Sequence, residues 1–268
     1  MADHLSELIA AVDAADSSSL LLEAVEDLAA ARLPGAIPTL IEVLSYNNPG
    51  AAVAAVDGLI NLGEASVAPL MEQLDQHNYT ARSWAIRALA GIGDPRGLMT
   101  LLGVSTADFS ASVRRAATRG LGSMKWHWFP DDLLDLAQEE ALEALLFVSQ
   151  DDEEWVVRYS AVVGLQDLHM ATSPARDEWR SQIQTQFKNM ADRDESWAVK
   201  ARARLALQQV RAASPPPIDD EPSTLSESDW QDILSTLYDR KAEERSVFAE
   251  GDPRRYHDLA VSISHREG

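Results

Sequence analysis

Small and large apolar residues recur along this chain in a fixed phase, an alanine followed four positions later by a leucine, inside stretches otherwise rich in helix formers. The pairs are Ala24/Leu28, Ala55/Leu59, Ala85/Leu89, Ala117/Leu121, Ala161/Leu165 and Ala203/Leu207, at successive spacings of 31, 30, 32, 44 and 42 residues. Each pair marks one helix: in Ala81-Arg82-Ser83-Trp84-Ala85-Ile86-Arg87-Ala88-Leu89, positions 81, 85 and 89 share a face at i, i+4 and i+8. Alanine in the middle of that face lets helices approach closely. A preceding helix is legible as well. Ile37 to Leu44 and Val67 to Leu74 repeat one apolar pattern thirty residues apart, with Pro38 and Pro69 early in the helix, where a missing N–H costs little.

Polar turns separate the two helices of each unit: Asn47-Asn48-Pro49, His77-Asn78-Tyr79, the run Asp151 to Trp155, and the run Asp192 to Trp197. Their side-chain oxygens are suited to cap the second helix. Gly63, Gly93 and Gly122 follow or end second helices, where a positive φ is cheap for glycine. A period in this range means stacked antiparallel helix pairs, each unable to bury its apolar face alone. The expected fold is therefore all-α: a HEAT-like α-solenoid of about five to six helical pairs over residues 1–211. Two insertions lengthen the later spacings, one around Trp126-His127-Trp128-Phe129-Pro130 and one from Thr172 to Trp179. After Val210 the repeat stops. Residues 212–228, with Pro215-Pro216-Pro217 and Pro222 among acids and serines, read as an extended linker. Residues 229–268 read as an amphipathic helical tail whose Trp230, Ile233, Leu234, Leu237 and Tyr238 form a stripe that needs a covering surface, at the end of the array or on a partner.

Charge narrows the function classes. With 43 acidic and 23 basic residues the net charge is -20, which disfavours nucleic acid and anionic membranes. Residues 131–154 hold ten carboxylates and no Lys or Arg, a pattern expected of a solvated helix face. No stretch of about 18 uninterrupted apolar residues occurs, and Met1 to Ala15 lacks the basic start and apolar core of a signal peptide, so no membrane insertion and a cytoplasmic location are expected. The absence of cysteine removes disulfides, thiolate metal sites and a cysteine nucleophile. No metal site is expected either, because the six histidines are scattered and no His-Glu dipeptide occurs. Gly91-Ile92-Gly93-Asp94-Pro95-Arg96 resembles the start of a nucleotide fingerprint, but it ends a helix instead of following a strand, and so reads as a helix cap and turn.

Two sets of basic residues separate by helical phase. Arg82, Arg114, Arg158 and Lys200 sit at the same early position of successive second helices, placed to form a ladder with turn acids such as Asp75, Asp108 and Asp151 or Asp152. Arg87, Arg115 and Arg119 lie opposite the Ala/Leu core positions, with Ser83 and Tyr159 equivalent in neighbouring units. They are expected to form a basic strip on the concave side, matched to carboxylates or phosphates; ordinary pairing with surface acids is the alternative. Tyr79, Trp84, Phe109, Trp126, His127 and Trp128 cluster in the same repeats, either as packing or as walls for a large flat acidic ligand.

Four segments carry a resemblance. YNNPGAAVAAV (Tyr46 to Val56), ARSWAIRALAGIGDPR (Ala81 to Arg96), DFSASVRRAATRGLG (Asp108 to Gly122) and SQDDEEWVVRYSAVVGL (Ser149 to Leu165) closely resemble the F-type subunit of heterodimeric phycocyanobilin lyases. The resemblance implies that, with an E-type lyase subunit, the chain attaches a linear tetrapyrrole through a thioether to a cysteine of a phycobiliprotein α subunit. The nucleophile is then the acceptor's thiol, consistent with a lyase that has none. The tetrapyrrole is a substrate, phycocyanobilin or phycoerythrobilin, and no cofactor is implied. The bilin-binding candidates are Arg87, Arg115 and Arg119 for the propionates, with Tyr79, Trp84, Trp126, His127, Trp128 and Tyr159 fixing the pigment. Asp108 and Glu154 are the candidate proton donors. An isomerising variant of the family uses a His-Cys motif that this cysteine-free chain lacks, so attachment without isomerisation is expected. A different class remains open: a non-catalytic chaperone or scaffold using the same surface to hold phycobiliprotein or a partner lyase.

Overall fold

The computed structural model describes residues 2–74, 78–212 and 224–249, and these contain helices and no strand. Six antiparallel pairs follow one another: α1 (Ala2–Ala14) with α2 (Ser18–Ala30), α3 (Ile37–Val43) with α4 (Pro49–Leu62), α5 (Val67–Leu74) with α6 (Tyr79–Ile92), α7 (Leu98–Ala107) with α8 (Ala111–Gly122), α9 (Asp131–Asp151) with α10 (Trp155–Ala171), and α11 (Asp177–Arg193) with α12 (Trp197–Ala212). A final helix, α13 (Glu227–Ala249), belongs to a separate compact unit beginning at Thr224. By its period it carries the apolar positions 230, 233, 234, 237 and 238 on one side. The proline-rich part of the expected linker, residues 213–223, lies outside the described residues.

The Ala/Leu register is the core. Both members of the first five pairs are buried, and so is Ala203, while Leu207 on α12 is half-buried. A fully buried leucine such as Leu28 or Leu59 contributes about 2 kcal/mol, so the stacked register dominates the stability of the array. The most apolar run, Pro49–Leu74, is broken between α4 and α5 at Gly63, whose φ of 62° favours glycine. Gly93 likewise ends α6 in the left-handed region, at φ 67°, its N–H returning to the Leu89 carbonyl at 3.1 Å.

Gly122 differs from that expectation. Its φ is not positive; it is small because α8 and α10 touch backbone to backbone there, and a Cβ on Gly122 would lie 2.1 Å from the Gly164 carbonyl oxygen. Gly58 against Ala29 and Gly120 against Ala90 repeat the device, with added Cβ atoms meeting a neighbour's Cβ at 2.7 and 2.5 Å. Second helices α2, α4, α6, α8, α10 and α12 thereby form one closely packed layer, while the first helices touch one another more sparingly. The tighter layer of a curved stack is its inner face. Positions opposite the Ala/Leu pairs therefore look into the curve.

Candidate functional site

Turn chemistry sets where each second helix begins. Asn48 and Asn78 cap α4 and α6, Asn48 Oδ1 accepting from the Ala51 N–H at 3.1 Å and Asn78 Oδ1 from the N–H groups of Thr80 and Ala81 at 3.1 and 3.2 Å. In later repeats the N-cap residues Ser110 and Glu154 make no side-chain cap bond, and an aspartate two residues earlier organises the turn instead. Asp108, Asp152 and Asp194 accept from the N–H two residues on, in Ser110, Glu154 and Ser196, at 2.8, 2.9 and 2.8 Å. Each also receives an arginine from the repeat before it: Arg82 binds Asp108, Arg114 grips Asp152 through Nε at 2.7 Å and Nη2 at 3.0 Å, and Arg158 grips Asp194 at 2.8 and 3.0 Å. Arg114 and Arg158 further donate to the carbonyls of Asp108 and Asp152, both at 2.8 Å, locking their own turns. Burial acts to raise the Asp194 carboxyl, but the bonds from Arg158 and the Ser196 N–H carry it below the usual carboxylate range.

The ladder thus runs forward, from each arginine to the aspartate of the next turn. Asp152, not Asp151, is the partner, and Asp75 lies outside the described residues. Asp108 is a joint between repeats: its carboxylate is buried, paired with Arg82 and bonded to the Ser110 N–H. Glu154 is exposed at the start of α10, on the turn edge and away from the inner face.

The second arginine set behaves differently. Arg87, Arg115 and Arg119 are exposed on α6 and α8, and among the described residues none of the three forms an ion pair. Arg87 lies 5.4 Å from the centroid of the Trp84 ring, which is half-buried. Ser83 of α6 and Ser112 of α8 share a hydrogen bond at 3.1 Å, tying the two helices side by side. Tyr159 continues the strip on α10 and is 36% exposed. Tyr79 opens α6, but its side chain lies outside the described residues.

The tryptophans of the first insertion sit in the packing. Trp126 is buried, donates through Nε1 to the Gly122 carbonyl at 3.1 Å and lies 5.2 Å from the Phe129 ring. Trp128 is buried under Lys125, whose Nζ is 3.8 Å from the ring centroid. The Lys125 N–H donates to the Gly93 carbonyl at 2.8 Å, pinning the insertion to the turn of the preceding repeat. Only His127 of this trio faces solvent. The structure brings Arg87, Trp84, Arg115, Arg119 and Tyr159 onto one layer and leaves Trp126 and Trp128 inside.

Sequence reasoning missed Asp167, on α10. Burial pushes its carboxyl above the usual range, while Arg202 of α12 and Arg119 of α8 act to lower it. The signal was weak, because only the packing of three helices gives residue 167 these neighbours.

Comparison with known proteins gives the family. Residues 67–166 match the model described as HEAT repeats. The phycocyanobilin lyase subunit beta of Pseudanabaena tenuis is 61% identical over 278 positions, covering 98% of this chain and 99% of that protein. The phycocyanin alpha phycocyanobilin lyase CpcF of Synechocystis sp. is 47% identical over 182 residues, covering 68% of this chain and 85% of its own length. Among solved structures, a chain from the complex of CpcE and CpcF of phycocyanin lyase from Nostoc sp. superposes with a TM-score of 0.58 at 46% identity, covering 64% of this chain and 98% of that one. With a full-length relative at that identity and a shared helical array, the chain belongs to the family of phycocyanobilin lyase beta subunits.

Proposed function

We propose that this chain is the F-type subunit of a heterodimeric bilin lyase, which with an E-type partner joins a phycobilin through a thioether to a cysteine of a phycobiliprotein α subunit without isomerising it. The observation that carries the reading is the 61% identity to a phycocyanobilin lyase subunit beta across 98% of the chain. The inner face supplies what such a subunit needs from its own residues. Arg87, Arg115 and Arg119 have guanidinium forks with no ion-pair partner among the described residues, suited to the two propionates of a tetrapyrrole. Trp84 and Tyr159 border them as flat walls. Holding the pigment in one pose raises the chance that the acceptor's thiol meets one carbon from one side. The nucleophile comes from the acceptor, since this chain has no cysteine. The working location that follows is the cytoplasm, where acceptor and pigment meet.

The test is co-expression of acceptor subunit, bilin-synthesis enzymes and E-type partner, with and without this chain, read by zinc-enhanced fluorescence of the denatured acceptor. Attachment should require both lyase subunits. Attachment at full rate without this chain, with the acceptor merely less stable, would instead assign it the chaperone role.

A further inference from the structure

The inner face described so far offers a ligand mainly donors and cations. An open-chain tetrapyrrole needs more than that, because its rings carry N–H groups on the edge opposite the carboxylates. Burying those N–H groups against arginines alone would leave them unsatisfied. An acceptor is required within the same layer.

Asp167 has the properties of that acceptor. It lies on α10 two residues beyond the core Leu165, hence opposite the Ala/Leu face, half-buried, on the helix that packs against both α8 and α12. Among the described residues its carboxylate accepts no hydrogen bond. Arg202 is turned to the neighbouring Gln166, donating through Nη1 to Oε1 at 2.8 Å. Arg119 is the same residue that ends the exposed basic strip. A half-buried carboxylate without a bonded partner contrasts with Asp108, Asp152 and Asp194, whose oxygens are saturated by arginines and backbone N–H groups. Burial pushes the Asp167 carboxyl upward, which marks a group held partly out of water before any ligand arrives.

We propose that Asp167 is a bilin-binding residue, accepting hydrogen bonds from the pyrrole N–H groups of the tetrapyrrole while Arg119 on the adjoining α8 takes a carboxylate of the same ligand. This rests on the reading that the inner face holds a bilin. A carboxylate also suits a tetrapyrrole that has gained a proton, whose positive charge it balances, so Asp167 influences the colour of the bound pigment as well as its affinity.

The experiment uses the complete heterodimer with phycocyanobilin as the probe, and measures affinity and the visible absorption of the bound pigment for wild type, Asp167→Asn, Asp167→Glu and the double variant Arg87→Ala/Arg115→Ala. Loss of one charge-assisted acceptor should weaken binding about 10-fold or more in D167N and shift its long-wavelength band, with D167E partly restoring both. Circular dichroism and melting of the same samples separate this from misfolding; if D167N melts early, D167E carries the comparison. Unchanged affinity and spectrum in D167N, with the double arginine variant impaired, would overturn the role of Asp167 and leave the face intact. Normal binding in both variants would overturn the face and this inference together. Impairment in D167N alone would sustain Asp167 and displace the arginines.

Discussion

Arg114 and Arg115 are neighbours in sequence and opposites in role. Arg114 is held on Asp152 by two hydrogen bonds and on the Asp108 carbonyl by a third, with a side chain 15% exposed. Arg115 stands in solvent without an ion pair among the described residues. One residue of helix is a rotation of about 100°, which is enough to move a guanidinium from the joint between repeats to the open inner face. The two sets also differ in the charge around them. Every joint arginine meets an aspartate of the next turn, whereas the strip arginines gather cations inside a chain of net charge -20. A joint arginine lends stability, and a strip arginine is left available to a ligand.

The contrast can be broken at its base by Gly122→Val. A side chain there meets the α10 backbone, so the layer that orders both sets must open; a loss of about 3 kcal/mol or more is expected, visible as a lower melting temperature together with lost attachment. A variant melting like wild type would show that the contact at Gly164 does not fix the layer.

Arg114→Ala against Arg115→Ala tests the pair directly. Removing Arg114 leaves Asp152, 7% exposed at its side chain, without its counter-charge, and should cost about 3 kcal/mol in denaturant unfolding, while Arg115→Ala should stay within about 0.5 kcal/mol. Equal losses would erase the distinction. In activity the order reverses: Arg87→Ala/Arg115→Ala should lower bilin attachment about 10-fold, as expected for lost charge-assisted bonds, with the circular dichroism spectrum preserved.

The acid limb of stability separates the joints from another buried group. His169 is fully buried, its Nδ1 has no hydrogen-bond partner and burial lowers it to about 4. The unfolded chain binds that proton near pH 6.5, so stability should decline as pH falls from about 6.5 to about 4. Asp194 has the opposite charge type and a folded value below its ordinary one, so its contribution is present above about pH 4 and disappears at lower pH, through the folded value. Melting temperatures across pH 3–7 should show both limbs in wild type, the lower alone in His169→Gln and the upper alone in Asp194→Asn. A strip substitution that removed either limb would contradict the assignment of those arginines to the open face.

Much of the ladder was legible because it is periodic: an aspartate six residues before each of Arg114, Arg158 and Lys200 repeats in the sequence. Its direction was not, since nothing local says whether an arginine turns back to its own turn or forward to the next. The aromatic candidates were the least legible. Trp126, His127 and Trp128 are consecutive, yet two are buried and one is exposed, and that choice depends on Lys125 being pinned to Gly93 in another repeat. Asp167 went unread for a related reason: its surroundings come from three helices.

By itself the sequence determined the repeat, the identity of first and second helices, the buried Ala/Leu register, the phase that separates Arg82 from Arg87, and four segments specific enough to place the family. These are local or periodic properties, set by side-chain size and by 3.6 residues per turn. Tertiary structure alone decided that Gly122 serves a backbone contact and not a positive φ, that the arginine joints run forward, that Asp108 is held within a joint, and that Asp167 is half-buried on a helix packed between α8 and α12. Those outcomes depend on the offset between stacked helices, a distance fixed by whichever side chains are small enough at the crossing, and no single repeat contains it.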